Sequence, residues 1–178
     1  MSETVVTLVR HPESPGLGVM RLQAAVARMP EGGLRLVYQL TGATAGLRIA
    51  APLSGSGRED GLWRHTCLEL FVRAPGATAY REFNFSPAGA WQAYAFHAYR
   101  EGGAMPAEAV PQITATHVEN AFTLDAHLPA ALLPPGPLQA GLSAVIESRD
   151  GRIAYWALRH PKPKPDFHDA LAFILELP

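Results

Sequence analysis

Five residues with chemistry of their own recur at every second position between residues 63 and 71: Trp63, His65, Cys67, Glu69 and Phe71. Interleaved with them are Leu68, Leu70 and Val72. In an extended strand, side chains two apart share a face and sit about 7 Å from one another. The odd-numbered set therefore points one way and the apolar even set points into a core. On the next run Phe83 and Phe85 are the core residues, so Glu82, Asn84 and Ser86 turn the same way as His65 and Glu69. Ser143 and Glu147, on a run at 139–147, also point away from the core. An indole ring stacks on the C–H faces of a sugar, and Asn and Glu hydrogen-bond its hydroxyls, so this face has the chemistry of a polar-ligand groove. If a loop covers the face instead, the same groups satisfy one another.

A second cluster lies near the C-terminal end: His160 beside Pro161, then Asp166, Phe167 and His168. Three prolines between 161 and 165 stiffen this stretch, so ordering it around a ligand costs little entropy. His160 and His168 are placed to close a site, and Asp166 to cap a turn. Trp91 sits on a strand, where it either packs in the core or touches ligand.

Other chemistries find less support. His65, Cys67 and Glu69 could join a histidine around a metal, but no Cys-x-x-Cys or His-Glu-x-x-His spacing accompanies them. Ser54-Gly55-Ser56-Gly57 lacks the spacing of a nucleophile elbow. Glu69 and Glu82 could face each other across neighbouring strands, which suits hydrolysis of a glycoside only if a groove crosses them. Dinucleotide and P-loop fingerprints are missing.

The elements that would hold these residues are mostly strands. Apolar residues alternate at 20–26 and 34–40 around Pro30-Glu31-Gly32-Gly33, which predicts a hairpin. A short strand is expected around Leu47 and Ile49. Runs at 66–72, 80–86 and 91–99, joined by Pro-Gly and Pro-Ala-Gly turns, predict an antiparallel meander. A loop is expected at 54–61 and another at 102–111, then a hairpin at 112–119 and 121–127. One helical turn is expected at 128–133, stopped by Pro134-Pro135. Strands at 139–147 and 153–158 flank the Asp150-Gly151 turn, and alternation at Leu171, Phe173, Leu175 and Leu177 predicts a last one. The expectation is an all-β antiparallel sandwich of immunoglobulin or jelly-roll type. It has about nine or ten strands, one short helical turn and a single domain over 1–178.

Composition narrows the partners. Fifteen basic against sixteen acidic residues give a net charge of -1, which argues against a nucleic-acid binder. Cys67 is the sole cysteine, so no internal disulfide forms. The chain opens with no signal-peptide pattern, and no apolar run nears the ~20 residues of a membrane span. A cytoplasmic protein without a membrane partner is the expectation. The residues say nothing about oligomeric state.

The segment Asp60-Gly61-Leu62-Trp63-Arg64-His65-Thr66-Cys67-Leu68-Glu69-Leu70-Phe71-Val72 resembles the Trp-x-x-Asp-x-x-Glu-Leu-Phe strand of family 9 carbohydrate-binding modules. These modules group with the wider DOMON-like β-sandwiches. The stretches 80–91, 122–133, 155–158 and 160–173 are similar to the same group, so the likeness covers most of the chain after residue 20. It is closest to a bacterial DOMON-like subgroup without a signal peptide. The resemblance implies a β-sandwich that binds a sugar or haem; haem-binding relatives use an axial Met and His, and Met20, Met29 and Met105 are present. His65 and Cys67 stand where the sugar-binding modules tend to carry acidic residues.

The leading expectation is a non-catalytic domain for a small polar ligand, foremost a carbohydrate. Its site would comprise Trp63, His65, Glu69, Glu82, Asn84, Trp91, His160 and His168, with no cofactor. Two alternatives stay open: a haem- or metal-binding domain, and a hydrolase or lyase using Glu69, Glu82 and His65.

Overall fold

The structure, a computed structural model, describes residues 3–54, 57–106 and 109–178. Residues 55 and 56 of the expected 54–61 loop, and 107 and 108 of the expected 102–111 loop, lie outside the described residues. So does the middle of Ser54-Gly55-Ser56-Gly57.

Twelve strands are found among the described residues: β1 Glu3–Arg10, β2 Val19–Arg28, β3 Leu34–Gly42, β4 Cys67–Arg73, β5 Tyr80–Phe85, β6 Trp91–Ala98, β7 Glu101–Ala104, β8 Gln112–Val118, β9 Ala121–Leu128, β10 Leu138–Glu147, β11 Ile153–Ala157 and β12 Leu175–Leu177. The hydrogen-bonded order is β7-β6-β5-β4-β10-β11-β1-β2-β3-β9-β8, with β12 added to β10. Every pairing is antiparallel. β1 is the crossover: residues 3–8 pair with β2, and Val9 and Arg10 pair with β11. The strand thus leaves one layer and enters the other.

The two layers face each other across one buried cluster. Leu22, Ala24 and Val26 of β2, Leu36, Tyr38 and Leu40 of β3, and Leu124 of β9 meet Leu68, Leu70 and Val72 of β4, Phe83 and Phe85 of β5, and Leu142, Ala144 and Ile146 of β10. Each of the Leu, Val, Ile and Phe side chains, fully withdrawn from water, contributes roughly 1.5–3 kcal/mol before the entropy of ordering it is counted. The Tyr38 hydroxyl donates to the Glu69 carbonyl at 2.6 Å, which ties the layers together and satisfies a buried polar group.

The meander β4–β5–β6, both hairpins and the turn at 130–132 fall where the alternation puts them. The strand count is higher than expected because β1 and β7 carry no clear inward pattern. Other elements differ too. No strand forms around Ile49; Thr44–Gly46 is a 3-10 turn and Leu47 makes a lone bridge to Ser148. Residues Leu62–Arg64 form a 3-10 turn entered through Gly61 at φ 77°, so Trp63 is not on β4. Near the end, Ala170–Ala172 is another 3-10 turn, capped by Asp169, and only Leu175–Leu177 is strand. The break lets Phe173 lie over the outer face of β10. Gly141 makes room there: a Cβ on it would stand 2.7 Å from Phe173 Cδ1.

Candidate functional site

Register aligns the outward side chains of β10, β4, β5 and β6 in rows. One row runs Ser143, Glu69, Asn84, Gln92; the next runs Gly141, Phe71, Glu82, Tyr94. These are outward positions, yet Glu69, Glu82 and Asn84 are 2%, 5% and 0% exposed. The chain after β11 returns across this face and brings Phe167, His168 and Phe173 onto it.

Asp166 latches that covering segment. Its carboxylate accepts from Tyr99 Oη at 2.6 Å, Arg100 Nη2 at 3.0 Å, Lys162 Nζ at 2.6 Å and the His168 backbone N–H at 3.2 Å. Burial by itself would raise the Asp166 pKa, but the bonds from Lys162, Tyr99 and Arg100 overcome it and hold the group near 2. The turn-capping role expected for Asp166 is thus one part of a larger clamp.

Between cover and sheet lies a cavity of about 770 Å³, within the range of small-molecule sites. Trp63, Phe71, Tyr94, Phe96, Tyr155 and Phe167 supply aromatic walls. Glu69, Glu82, His168, Arg100, Lys164 and Glu13 supply the polar groups. Ser143 Oγ donates to Glu69 Oε2 at 3.1 Å, and Asn84 Nδ2 donates to Glu82 Oε1 at 2.8 Å. Burial pushes the Glu69 carboxyl well up, and the neighbouring Glu82 charge adds to this. Burial also lifts Glu82, to about 7, against the opposing pull of the Asn84 bond and Arg100.

His168 has a defined orientation. The Arg100 backbone N–H donates to the Tyr80 hydroxyl at 3.0 Å, and that hydroxyl lies 2.8 Å from His168 Nδ1. If the Tyr80 hydroxyl donates to Nδ1, the neutral ring carries its proton on Nε2. Burial, reinforced by Arg100, holds His168 down at about 4, so the ring is neutral at ordinary pH. Its Nε2 faces Glu82 Oε2 across 3.7 Å, a gap too long for a direct bond.

Of the residues singled out in the sequence, Trp63, Glu69, Glu82 and His168 meet at the cavity. Asn84 stands behind the wall, bonded to Glu82. Three others are elsewhere. His65 turns outward to Glu147, 2.8 Å from its Oε2, and Arg48 holds the other oxygen; the break before β4 removes it from the strand's parity. Trp91 pairs with Phe85 and is 3% exposed inside the sandwich core, on the opposite face from the cavity. His160 Nε2 donates to the Val9 carbonyl at 2.9 Å and its ring packs edge-on against His11, so it pins the loop to β1. The set Glu69, Glu82 and His65 is thus not a constellation; His168 occupies the place beside Glu82. Among the described residues, no three His, Cys, Asp or Glu side chains are grouped to hold a metal ion. Met20 is 85% exposed on the other layer.

Tyr94 and Phe96 were legible but unread: Glu82 pairs with Tyr94 and Tyr80 with Phe96, so the parity that turns Glu82 outward turns both rings outward. Arg100, Glu13, Lys164 and Phe167 come from turns and loops and carry no such periodic signal.

No family model matches the sequence, and no curated protein matches it. Solved structures do. A candidate carbohydrate-binding protein from Bacteroides uniformis superposes with a TM-score of 0.73 at 16% identity, over 96% of this chain and 84% of that one. A family 9 carbohydrate-binding module from Caldicellulosiruptor kristjanssonii, in complex with cellotriose, gives a TM-score of 0.55 at 8% identity, over 86% and 72%. The fold is that of a family 9 carbohydrate-binding module. At these identities the likeness to such modules is one of backbone architecture, and the site must be argued from this chain's own residues.

Proposed function

We propose that the cavity binds a small saccharide. The observation that carries this reading is the combination in one cavity of aromatic walls with buried hydroxyl-binding groups, Glu69, Glu82 and His168. Sugar rings present C–H faces that stack on aromatic rings and hydroxyls that both donate and accept. A sugar hydroxyl lodged in the cavity beside the His168–Glu82 pair would accept from Nε2–H and donate to the carboxylate. The carbohydrate ligand of the Caldicellulosiruptor module, and the description of the Bacteroides protein, support the same ligand class.

Calorimetric titration with glucose, galactose, xylose, cellobiose and cellotriose tests it. Binding of at least one sugar is expected, and Trp63→Ala should weaken it about tenfold, the loss of one stacking contact. Thr123→Ala, on the other layer, should leave it unchanged. Heats indistinguishable from dilution for all five sugars would end this reading.

A further inference from the structure

Two carboxyls buried side by side cannot both ionise cheaply, and their neighbours decide which one keeps a proton. Glu69 and Asn84 are direct cross-strand partners, and Glu82 lies two residues before Asn84 on the same face. Asn84 gives its Nδ2–H to Glu82 Oε1, a bond that favours the ionised carboxylate. Asn84 Oδ1 is buried and accepts from no protein donor. The hydrogen it lacks is the one a protonated Glu69 opposite would carry. Ser143 meanwhile occupies the other Glu69 oxygen. Asn84 would thus polarise the pair, holding the proton on Glu69 and the charge on Glu82.

We propose that this pair interconverts the two anomers of a reducing sugar held in the cavity, with Glu69 delivering a proton to the ring oxygen while Glu82 takes one from the anomeric hydroxyl. The proposal rests on the saccharide reading above. As the anomeric O–H proton moves to Glu82, the C1–O1 bond becomes the aldehyde C=O. The C1–O5 bond breaks, and its electron pair takes the Glu69 proton. After rotation about C1–C2 the ring closes on the other face of the carbonyl. Glu82 then returns its proton to O1, Glu69 recovers its own from O5, and no co-reactant is consumed. His168 Nε2–H, facing Glu82, steadies O1 through both steps. Glycoside hydrolysis fits less well, because its two carboxyls flank the scissile bond, whereas here both project from adjacent strands of one wall.

Arg100, Lys164, Glu13, His168, Tyr94 and Tyr155 line the same cavity. His168 near 4 and Tyr94, raised by burial to about 12, titrate outside the neutral range. Glu82 stands at about 7, with Glu69 above its ordinary value. The catalysed rate should therefore rise with pH through about 7 as Glu82 ionises.

Anomer exchange of glucose and galactose is followed by magnetisation-transfer NMR, with calorimetry on the same samples. Exchange is expected to accelerate in proportion to protein. Glu82→Gln and Glu69→Gln should each lower the accelerated part at least 100-fold, the usual worth of a general acid or base. Thr123→Ala should not change it. Methyl α- and β-glucoside have no anomeric hydroxyl and cannot react, so at least one should bind and suppress glucose exchange in the unaltered protein. This keeps the test decisive if a Gln variant fails to fold. Sugar binding with exchange no faster than in buffer would overturn this inference and leave the saccharide reading standing. Failure of every sugar to bind would remove that reading and this inference with it. Acceleration that survives both Gln substitutions, or that neither glucoside suppresses, would also overturn it.

Discussion

The two layers of the sandwich carry outward residues of similar polarity and treat them in opposite ways. On the layer β1–β2–β3–β9–β8 a single row runs Thr7, Gln23, Gln39, Thr123, Thr116 across five strands, with Thr7, Gln39 and Thr116 exposed and Gln23 and Thr123 half-buried. On the other layer the row Ser143, Glu69, Asn84, Gln92 is buried. In both rows the pairing register turns the side chains outward. What separates them is the segment after β11, which crosses only the second face and encloses the cavity there. Alternation thus says which way a side chain points, and the cover decides whether it meets solvent or forms a site.

The sharpest way to break this contrast is to unfasten the cover. Asp166 takes four hydrogen bonds while its side chain is only 8% exposed, so Asp166→Ala should cost about 3 kcal/mol. On the open layer Asp125 pairs with Arg35 at 2.6 Å, but the two side chains are 22% and 42% exposed. Asp125→Ala should therefore cost less than about 1 kcal/mol. Denaturant unfolding of both variants checks the difference. Equal losses would mean that Asp166 is no latch.

The same contrast explains what was readable beforehand. The meander was legible because Leu68, Leu70, Phe83 and Phe85 face inward while Glu69, Glu82 and Asn84 face outward, an alternation set by burial on one side. β1 was not, because Val5 and Val9 are exposed and Leu8 alone is buried, as befits a strand that changes layers. β7 was not, because Glu101-Gly102-Gly103-Ala104 has no apolar pattern and is a strand only by pairing with β6. In the site, Glu69 and Glu82 followed from parity alone. His168 was guessed from a stiff loop, and its partner Tyr80 could not be inferred, since loop-to-sheet contacts leave no period in the sequence. Trp91 was misplaced by its residue type, although its pairing with inward Phe85 puts it in the core.

A smaller effect separates the faces by pH. Glu82 is raised in the fold to about 7 from an ordinary 4.5. Between these values the folded state holds a proton that the unfolded chain has lost, so stability falls as pH rises through this window. His168 acts oppositely. It is lowered to about 4 from 6.5, so its contribution is present above 6.5 and is lost as pH falls through 4. Each group supplies a slope of at most about 1.4 kcal/mol per pH unit. Glu82→Gln should remove the falling component, so the variant gains on the parent protein between pH 5 and 7. His168→Gln should remove the rising component and lose ground to the parent from pH 4 to 6.5. Unfolding curves at half-unit pH steps read both, and parallel profiles for all three proteins would refute the burial argument.

The smallest effect is expected where nothing covers the sheet. Gln39 and Thr123 are direct partners in this row, Gln39 exposed and Thr123 half-buried, and among the described residues neither side chain is bonded to an ionised group. Thr123→Ala sacrifices some β-propensity and a cross-strand contact, so the change should stay within about 0.5 kcal/mol. The pH profile of stability should keep the parent shape, because no titrating group loses a partner. Asn84→Ala, in the equivalent row of the covered layer, removes the donor to Glu82 Oε1 and leaves that buried carboxylate without its amide. A loss of about 2 kcal/mol is expected there. If the two alanine variants unfold at the same denaturant concentration, the covered row is no more demanding than the open one, and the cavity floor is not the preorganised surface its hydrogen bonds imply.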